Sequence, residues 1–214
     1  MDYDSLTAPK GTPGSIANWV NYSDALLPLS DILEDAQALI YDMVRLRPMY
    51  STVEIVLPAG EISAALPDGL MDLVKLWDQY QCPLAPLDQV SLESRRSKQS
   101  DGSWDTGTAP TAYTIFNELI QFDMAADEDI TLRAAGAFRP AYLGPTNKTN
   151  WLTREYPHIL RPACLAMAAD FLNDDTKYNR YVTRVSGLLK TAQQSDDMAI
   201  MGMQVDVYSA GSMS

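Results

Sequence analysis

A chain of 214 residues with 46% hydrophobic content, 11 Gly and 13 Pro is long enough to bury roughly 70% of its unfolded surface, and its composition is neither disordered nor collagen-like. A net charge of -12 argues against a nucleic-acid grip, which needs clustered Lys and Arg to displace counterions from phosphate. Cys82 and Cys164 stand far apart and make neither a disulfide framework nor a zinc site, and with no basic-then-apolar leader or apolar run of about 20 residues, a soluble protein made in the cytosol is expected.

Residues 1–14, with Pro9, Gly11, Pro13 and Gly14, are expected to form a flexible N-terminal arm, because they hold too little apolar surface to order themselves. Ser15 is placed to cap a short helix carrying Ile16, Trp19 and Val20. A stronger helix is expected to start at Ser30. Ile32, Leu33, Ala36, Leu39, Ile40, Met43 and Val44 repeat at helical spacing, with Asp31, Glu34 and Asp35 in the first turn and Arg45 and Arg47 in the last.

From Met49 the period changes to two. Val53, Ile55 and Leu57 alternate with their neighbours and read as a strand ending at Pro58-Ala59-Gly60. A shorter run follows over 61–66, and residues 70–78 fit either a strand or a helix. The polar segment 91–107, with Arg95, Arg96, Lys98 and the Asp101-Gly102 turn, reads as a long connection with one helical turn near Leu92. Strands are then expected over 112–116, 119–122 and 130–138, the first two joined through Asn117-Glu118.

Residues 149–157, Thr-Asn-Trp-Leu-Thr-Arg-Glu-Tyr-Pro, launch an apolar segment over 158–173. Between Arg161 and Asn173 the only charge is Asp170, on the opposite side of a helix from Arg161, so no wide polar face remains. Such a helix is one that others surround. Trp151, Tyr156, Pro157, Leu165, Met167 and Phe171 are its candidate core residues. The helix either starts at Pro162 or is kinked there. Asp174-Asp175 open another helix with the stripe Tyr178, Tyr181, Val182, Val185, Leu188, Leu189 and Ala192, opposite Lys177, Arg180, Arg184 and Lys190. Beyond Ser195 no clear period is visible.

Helices, then strands, then helices predict an α+β fold that is mainly α: a helical bundle with an inserted small antiparallel β domain and extended termini. The expected divisions are a flexible arm over 1–14, the bundle over 15–48 and 140–195, the β-rich insertion over 49–139 and a docking tail over 196–214.

Chemistry is hard to find. His158 is the single histidine, with no evident carboxylate or nucleophile to work with. Asp105-Thr106-Gly107 matches the triplet of aspartic proteases, but that mechanism needs paired carboxylates after apolar strands. It defines one alternative, an aspartic-type hydrolase. Trp104 and Tyr113 near polar turns define another, a carbohydrate-binding β module on a helical stem. The pairs Asp174-Asp175 and Asp196-Asp197 and the run Asp127-Glu128-Asp129 read as caps and turns rather than metal ligands. No cofactor or metal is expected.

Several stretches taken together resemble head-to-tail adaptor proteins of tailed bacteriophages: residues 39–49 followed by strands, Leu66-Pro67-Asp68, 107–110 with Tyr113, and above all Asn150-Trp151-Leu152-Thr153 with Tyr156-Pro157 before an Ala-rich helix. The similarity covers roughly residues 30–190. Pro162 and Ala134-Ala135-Gly136-Ala137 depart from it, the latter where bulkier strand residues are expected. The resemblance implies a structural, non-enzymatic virion protein, assembled in the host cytoplasm and located at the head-tail junction. It implies a homo-oligomeric ring, commonly dodecameric, that binds the portal and connects it to tail tube, nozzle or fibre proteins while DNA passes through without specific binding.

In that setting the uneven charge gains a role. Residues 1–90 hold 13 acids and 4 bases, net -9, whereas residues 91–214 hold 15 acids and 12 bases, net -3. Asp31, Glu34 and Asp35 are candidate channel-facing acids that repel DNA phosphates during genome ejection. Met198, Met201, Met203, Val205, Val207 and Tyr208 form a candidate portal-docking tail, since Met adapts to irregular grooves.

Overall fold

The computed structural model describes residues 1–23, 26–96 and 104–210, with backbone alone over 198–210. Lys98 and the expected Asp101-Gly102 turn lie outside the described residues. The chain divides into two compact units, one of Met1–Pro48 with Pro140–Ser214 and one of Met49–Arg139.

The first unit begins with α1 (Tyr3–Leu6) inside the segment expected to be a flexible arm. Asp2 and Ser5 cap it reciprocally, with Ser5 N donating to Asp2 Oδ1 at 2.8 Å and Asp2 N to Ser5 Oγ at 3.0 Å. Tyr3 N donates to Lys148 O at 2.8 Å, and Lys148 Nζ pairs with Asp4 Oδ2 at 2.6 Å. These partners are distant in sequence, which is why local composition conceals the order. Helix α2 (Ile16–Val20) is capped by Ser15, as its position predicts. Helix α3 (Leu29–Met43) starts before Ser30, because Pro28 occupies the cap position and its carbonyl accepts from Ile32 N at 3.0 Å. Arg45 lies beyond the last turn, and its Nη1 donates back to Tyr41 O at 2.6 Å.

In the second unit, β1 (Tyr50–Leu57), β2 (Ser63–Ala65), β3 (Leu70–Trp77), β4 (Ala85–Pro86), α4 (Gln89–Arg95), β5 (Thr106–Gly107), β6 (Ala112–Phe116), β7 (Leu119–Phe122), β8 (Ala125–Ala126) and β9 (Ile130–Phe138) follow in order. Among the described residues they form sheets ordered β1-β9-β3, β2-β7-β6-β4 and β5-β8. The ambiguous run 70–78 is a strand over Leu70–Trp77, paired along β9; Leu76 in it is fully buried, and the register shifts along it break the simple alternation that would mark a strand in the sequence. Ile55, Leu76, Tyr113, Ile120, Phe122 and Leu132 share one core drawn from both larger sheets.

Strand β9 is central, pairing with β1 on one side and β3 on the other. The glycine in its run of small residues has a steric cause. A Cβ on Gly136 would meet the Asp72 carbonyl oxygen at 2.5 Å and Leu70 Cδ1 at 2.7 Å. Register shifts between Leu70 and Asp72 and between Leu73 and Lys75 accompany this close approach of the β3 backbone, so a side chain has no room at position 136.

The chain completes the first unit with α5 (Trp151–Arg154), α6 (Pro157–Phe171) and α7 (Asp175–Ala210). Helix α6 starts at Pro157, whose missing N–H is not needed in a first turn, and runs on through Pro162. Ile159, Leu160, Ala163, Cys164, Ala166 and Ala168 on it are buried, and it packs against α2, α3, α5 and α7.

The expectation of a mainly helical fold is corrected. Helix takes 41% and strand 24%, the strands lying in sheets of three, four and two, so the fold is a mixed α+β one. Nor is the sheet region wholly antiparallel: β4 pairs with β6, and β5 with β8, in parallel. These added strands are two residues long, too short to show any period.

Candidate interaction surfaces

The 150–153 stretch builds the best-connected polar site of the helical unit. Asn150 caps α5 through Thr153 N at 3.2 Å, and Asn150 N donates to Thr153 Oγ1 at 3.1 Å. This capping box uses the Asn150 side-chain oxygen and leaves its amide nitrogen for longer reach. Nδ2 donates to Gln37 Oε1 at 3.0 Å and to Tyr41 Oη at 3.3 Å on α3. Gln37 Oε1 accepts also from Leu143 N at 2.8 Å, while Gln37 Nε2 donates to Leu33 O at 3.0 Å. A buried network this complete stabilises one arrangement of its elements.

Aromatic rings line the same site. Tyr142 lies 5.6 Å from Tyr41, Tyr41 is 6.1 Å from Trp151, and Trp151 meets Tyr156 edge-on at 5.4 Å. Burial pushes the Tyr41 phenol well above its ordinary range, with the neighbouring Tyr142 adding to the shift. Tyr156 is also raised, by burial first and then by Asp196 and Glu155. Burial thus holds both in the neutral phenol form, in which each hydroxyl can donate as well as accept a hydrogen bond. His158 is exposed, its ring tilted against that of Tyr156 with centroids 6.0 Å apart.

The six candidate core residues separate. Trp151 is buried, while Tyr156, Pro157, Leu165 and Met167 are half-buried. Phe171 is 48% exposed, which corrects its placement in the core. Met167, Asp170 and Phe171 follow the spacing i, i+3, i+4 and so share a side of α6. With Asp31, Ile32 and Asp35 they line an open cavity of about 290 Å³ beside α3.

Asp31, Glu34 and Asp35 are all exposed. Met198, Met201, Met203, Val205, Val207 and Tyr208 lie within α7, whose backbone continues to Ala210 in place of the aperiodic tail expected. Their side chains lie outside the described residues. Ahead of them, Asp196 is 8% exposed and its Oδ2 accepts from Arg47 N at 2.8 Å, tying α7 to the segment after α3. The sequence carried no signal of this, because a contact spanning 149 positions leaves no local pattern.

Acidic residues elsewhere work as caps and turns. Asp174 Oδ1 accepts from Lys177 N at 3.0 Å, Asp129 Oδ1 from Ala59 N at 2.9 Å, and Asp123 Oδ1 from Thr111 N at 3.0 Å. Among the described residues, no group of three His, Cys, Asp or Glu is placed to hold a metal ion.

The β unit gives the alternative chemistries little support. Asp105 is exposed and its carbonyl accepts from Ala125 N at 3.0 Å in the β5-β8 pairing. Gly107 has a packing explanation, since a Cβ there would run into Met124 Cε. Tyr113 is buried in the core and the Arg96 guanidinium lies over the Trp104 ring at 5.7 Å, so the two rings form no open stacking platform for a sugar. Sequence reading missed the apolar hairpin end of this unit. Ile115, Phe116 and Leu119 are exposed around Asn117 and Glu118, both at positive φ.

A family model described as SU10 adaptor protein matches residues 13–207 of the chain. Among curated proteins none matches the sequence.

Proposed function

Because the chain belongs to the SU10 adaptor protein family, a family of phage structural adaptors, we propose that its copies close into a dodecameric ring between the portal and the tail. The ring continues the DNA channel, with DNA passing through unbound. The match over residues 13–207 carries this reading, since it takes in both compact units. As a virion component the chain contacts other head and tail proteins. The finer assignment gives portal docking to residues 198–210 and contacts with tail components to the β unit.

The physical properties suit that role. A ring subunit needs two different patches that meet on neighbouring copies and a body stiff enough to hold the closing angle. The Gln37-Asn150 network and its aromatic row supply stiffness, and a net charge of -12 keeps DNA phosphates from adhering. Asp31, Glu34 and Asp35 have two candidate places in such a ring, on the channel wall or at a subunit contact. Their charge pattern favours the contact.

Electron microscopy of particles carrying this chain tests the assignment. The expected image is a ring of twelvefold symmetry at the head-tail vertex, absent when the chain is absent. Density elsewhere on the particle overturns it. A chain ending at Asp197 is expected to fold and to lose portal binding, and retained binding removes the docking role of the last residues.

A further inference from the structure

The helical unit segregates its charge by helix. Over Leu29–Met43, α3 carries Asp31, Glu34, Asp35 and Asp42 and no base, whereas residues 176–195 of α7 carry Lys177, Arg180, Arg184 and Lys190 and no acid. All eight side chains are exposed. At about 100° per residue the four acids fall within about 100° of arc, and Lys177, Arg180 and Arg184 within about 60°. At 1.5 Å per residue the acidic stripe runs about 16 Å and the basic one, from Lys177 to Arg184, about 10 Å, with Lys190 set off to one side of it.

Most of both stripes is left without an ion-pair partner among the described residues. Lys177 pairs with Asp174 at 2.8 Å, but among the described residues Arg180, Arg184, Asp31, Glu34 and Asp35 have no ion-pair partner. Nor do the stripes neutralise each other. Helices α3 and α7 both pack along α6 with little direct contact, and their charged sides are the exposed ones. Asp31, Glu34 and Asp35 repel one another at i, i+3 and i+4; the N-terminus of α3 offsets this repulsion, and a cationic neighbour would add to that.

We infer that neighbouring copies in the ring meet by setting the basic side of α7 from one copy against the acidic side of α3 on the next. This rests on the ring reading above and adds the surfaces that close it. The two stripes are different and opposite in sign, as a head-to-tail contact between identical copies requires. The cavity beside Asp31 and Asp35 supplies an apolar floor of Ile32, Met167 and Phe171, on which arginine stems rest while their guanidinium groups reach the carboxylates. A channel wall would account for the acids alone. It leaves the basic stripe unexplained in a chain of net charge -12.

The test uses the full chain in two charge-reversed forms, D31K/D35K and R180E/R184E, with circular dichroism to confirm folding. Assembly is followed by native mass spectrometry and sedimentation at low ionic strength, for the chain alone and with the portal. Wild type is expected to form rings that weaken as salt rises. Each variant alone is expected to assemble about tenfold or more weakly. A one-to-one mixture of the two is expected to restore rings of alternating copies, because both of its junctions are again opposite in sign. If both variants close rings as wild type does, the stripes are not the contact and the ring stands. If D31K/D35K assembles normally but slows DNA ejection, the acids belong to the channel wall and the inference falls. If wild type forms no ring alone or on the portal, the ring reading fails and takes the inference with it.

Discussion

The side-chain amide of Asn150 donates to Gln37 Oε1 at 3.0 Å across 113 positions of sequence, and both residues are buried. Gln37→Leu keeps the volume but leaves Asn150 Nδ2 and Leu143 N short of an acceptor, at a cost of about 2–4 kcal/mol. Urea denaturation followed by tryptophan fluorescence measures it. An unchanged midpoint would show that water replaces the lost acceptor.

Gly136 faces the β3 backbone closely enough that any Cβ must displace it. Gly136→Ala is therefore expected to destabilise the β unit by about 1–3 kcal/mol through overpacking. Hydrogen exchange should rise in β3 and β9 and stay unchanged in α6.

Gly187 is the opposite case. A Cβ there meets nothing within 4 Å, and glycine inside a helix costs about 1 kcal/mol relative to alanine. Gly187→Ala is expected to recover most of that, read as a higher urea midpoint of the isolated chain.

Cys164 gives a prediction with a defined pH sign. Burial pushes its thiol up from the ordinary 9.0 to about 12. The folded state thus favours the protonated thiol, and the stabilisation is complete below pH 9.0 and lost as pH rises towards 12. Between pH 9 and 11, wild type should lose more stability than Cys164→Ala. In native protein near pH 8, below that shifted range, a thiol reagent should label exposed Cys82 and spare Cys164 until unfolding.

How much of this was legible in the sequence depended on the reach of each interaction. Ile55 and Leu57 show a period of two because their neighbours face water, and the Ala-rich run of α6 shows its burial because helices surround it. Local signals also marked the Ser15 cap and the Asn150 box. What escaped depends on partners far along the chain. Leu6 is buried although residues 1–14 look too polar to fold, and Asp196 reads as a surface acid although it accepts from Arg47. Phe171 looked like core because hydrophobicity alone does not say which side of α6 lacks a neighbour. At the candidate site, the acids of α3 and the bases of α7 were visible one by one, but whether Asp31, Glu34, Asp35, Arg180 and Arg184 find ion-pair partners is decided by the tertiary structure, which supplies none among the described residues.

Tyr50, the first residue of β1, sits opposite Ala137 near the end of β9, so the two ends of the β unit lie about one strand spacing apart. A cassette whose two ends are neighbours asks only one thing of its host, a single break in a connection. Such a segment can lengthen, shrink or be exchanged while the helices keep their spacing, and natural variation in the length of the chain is expected to concentrate there.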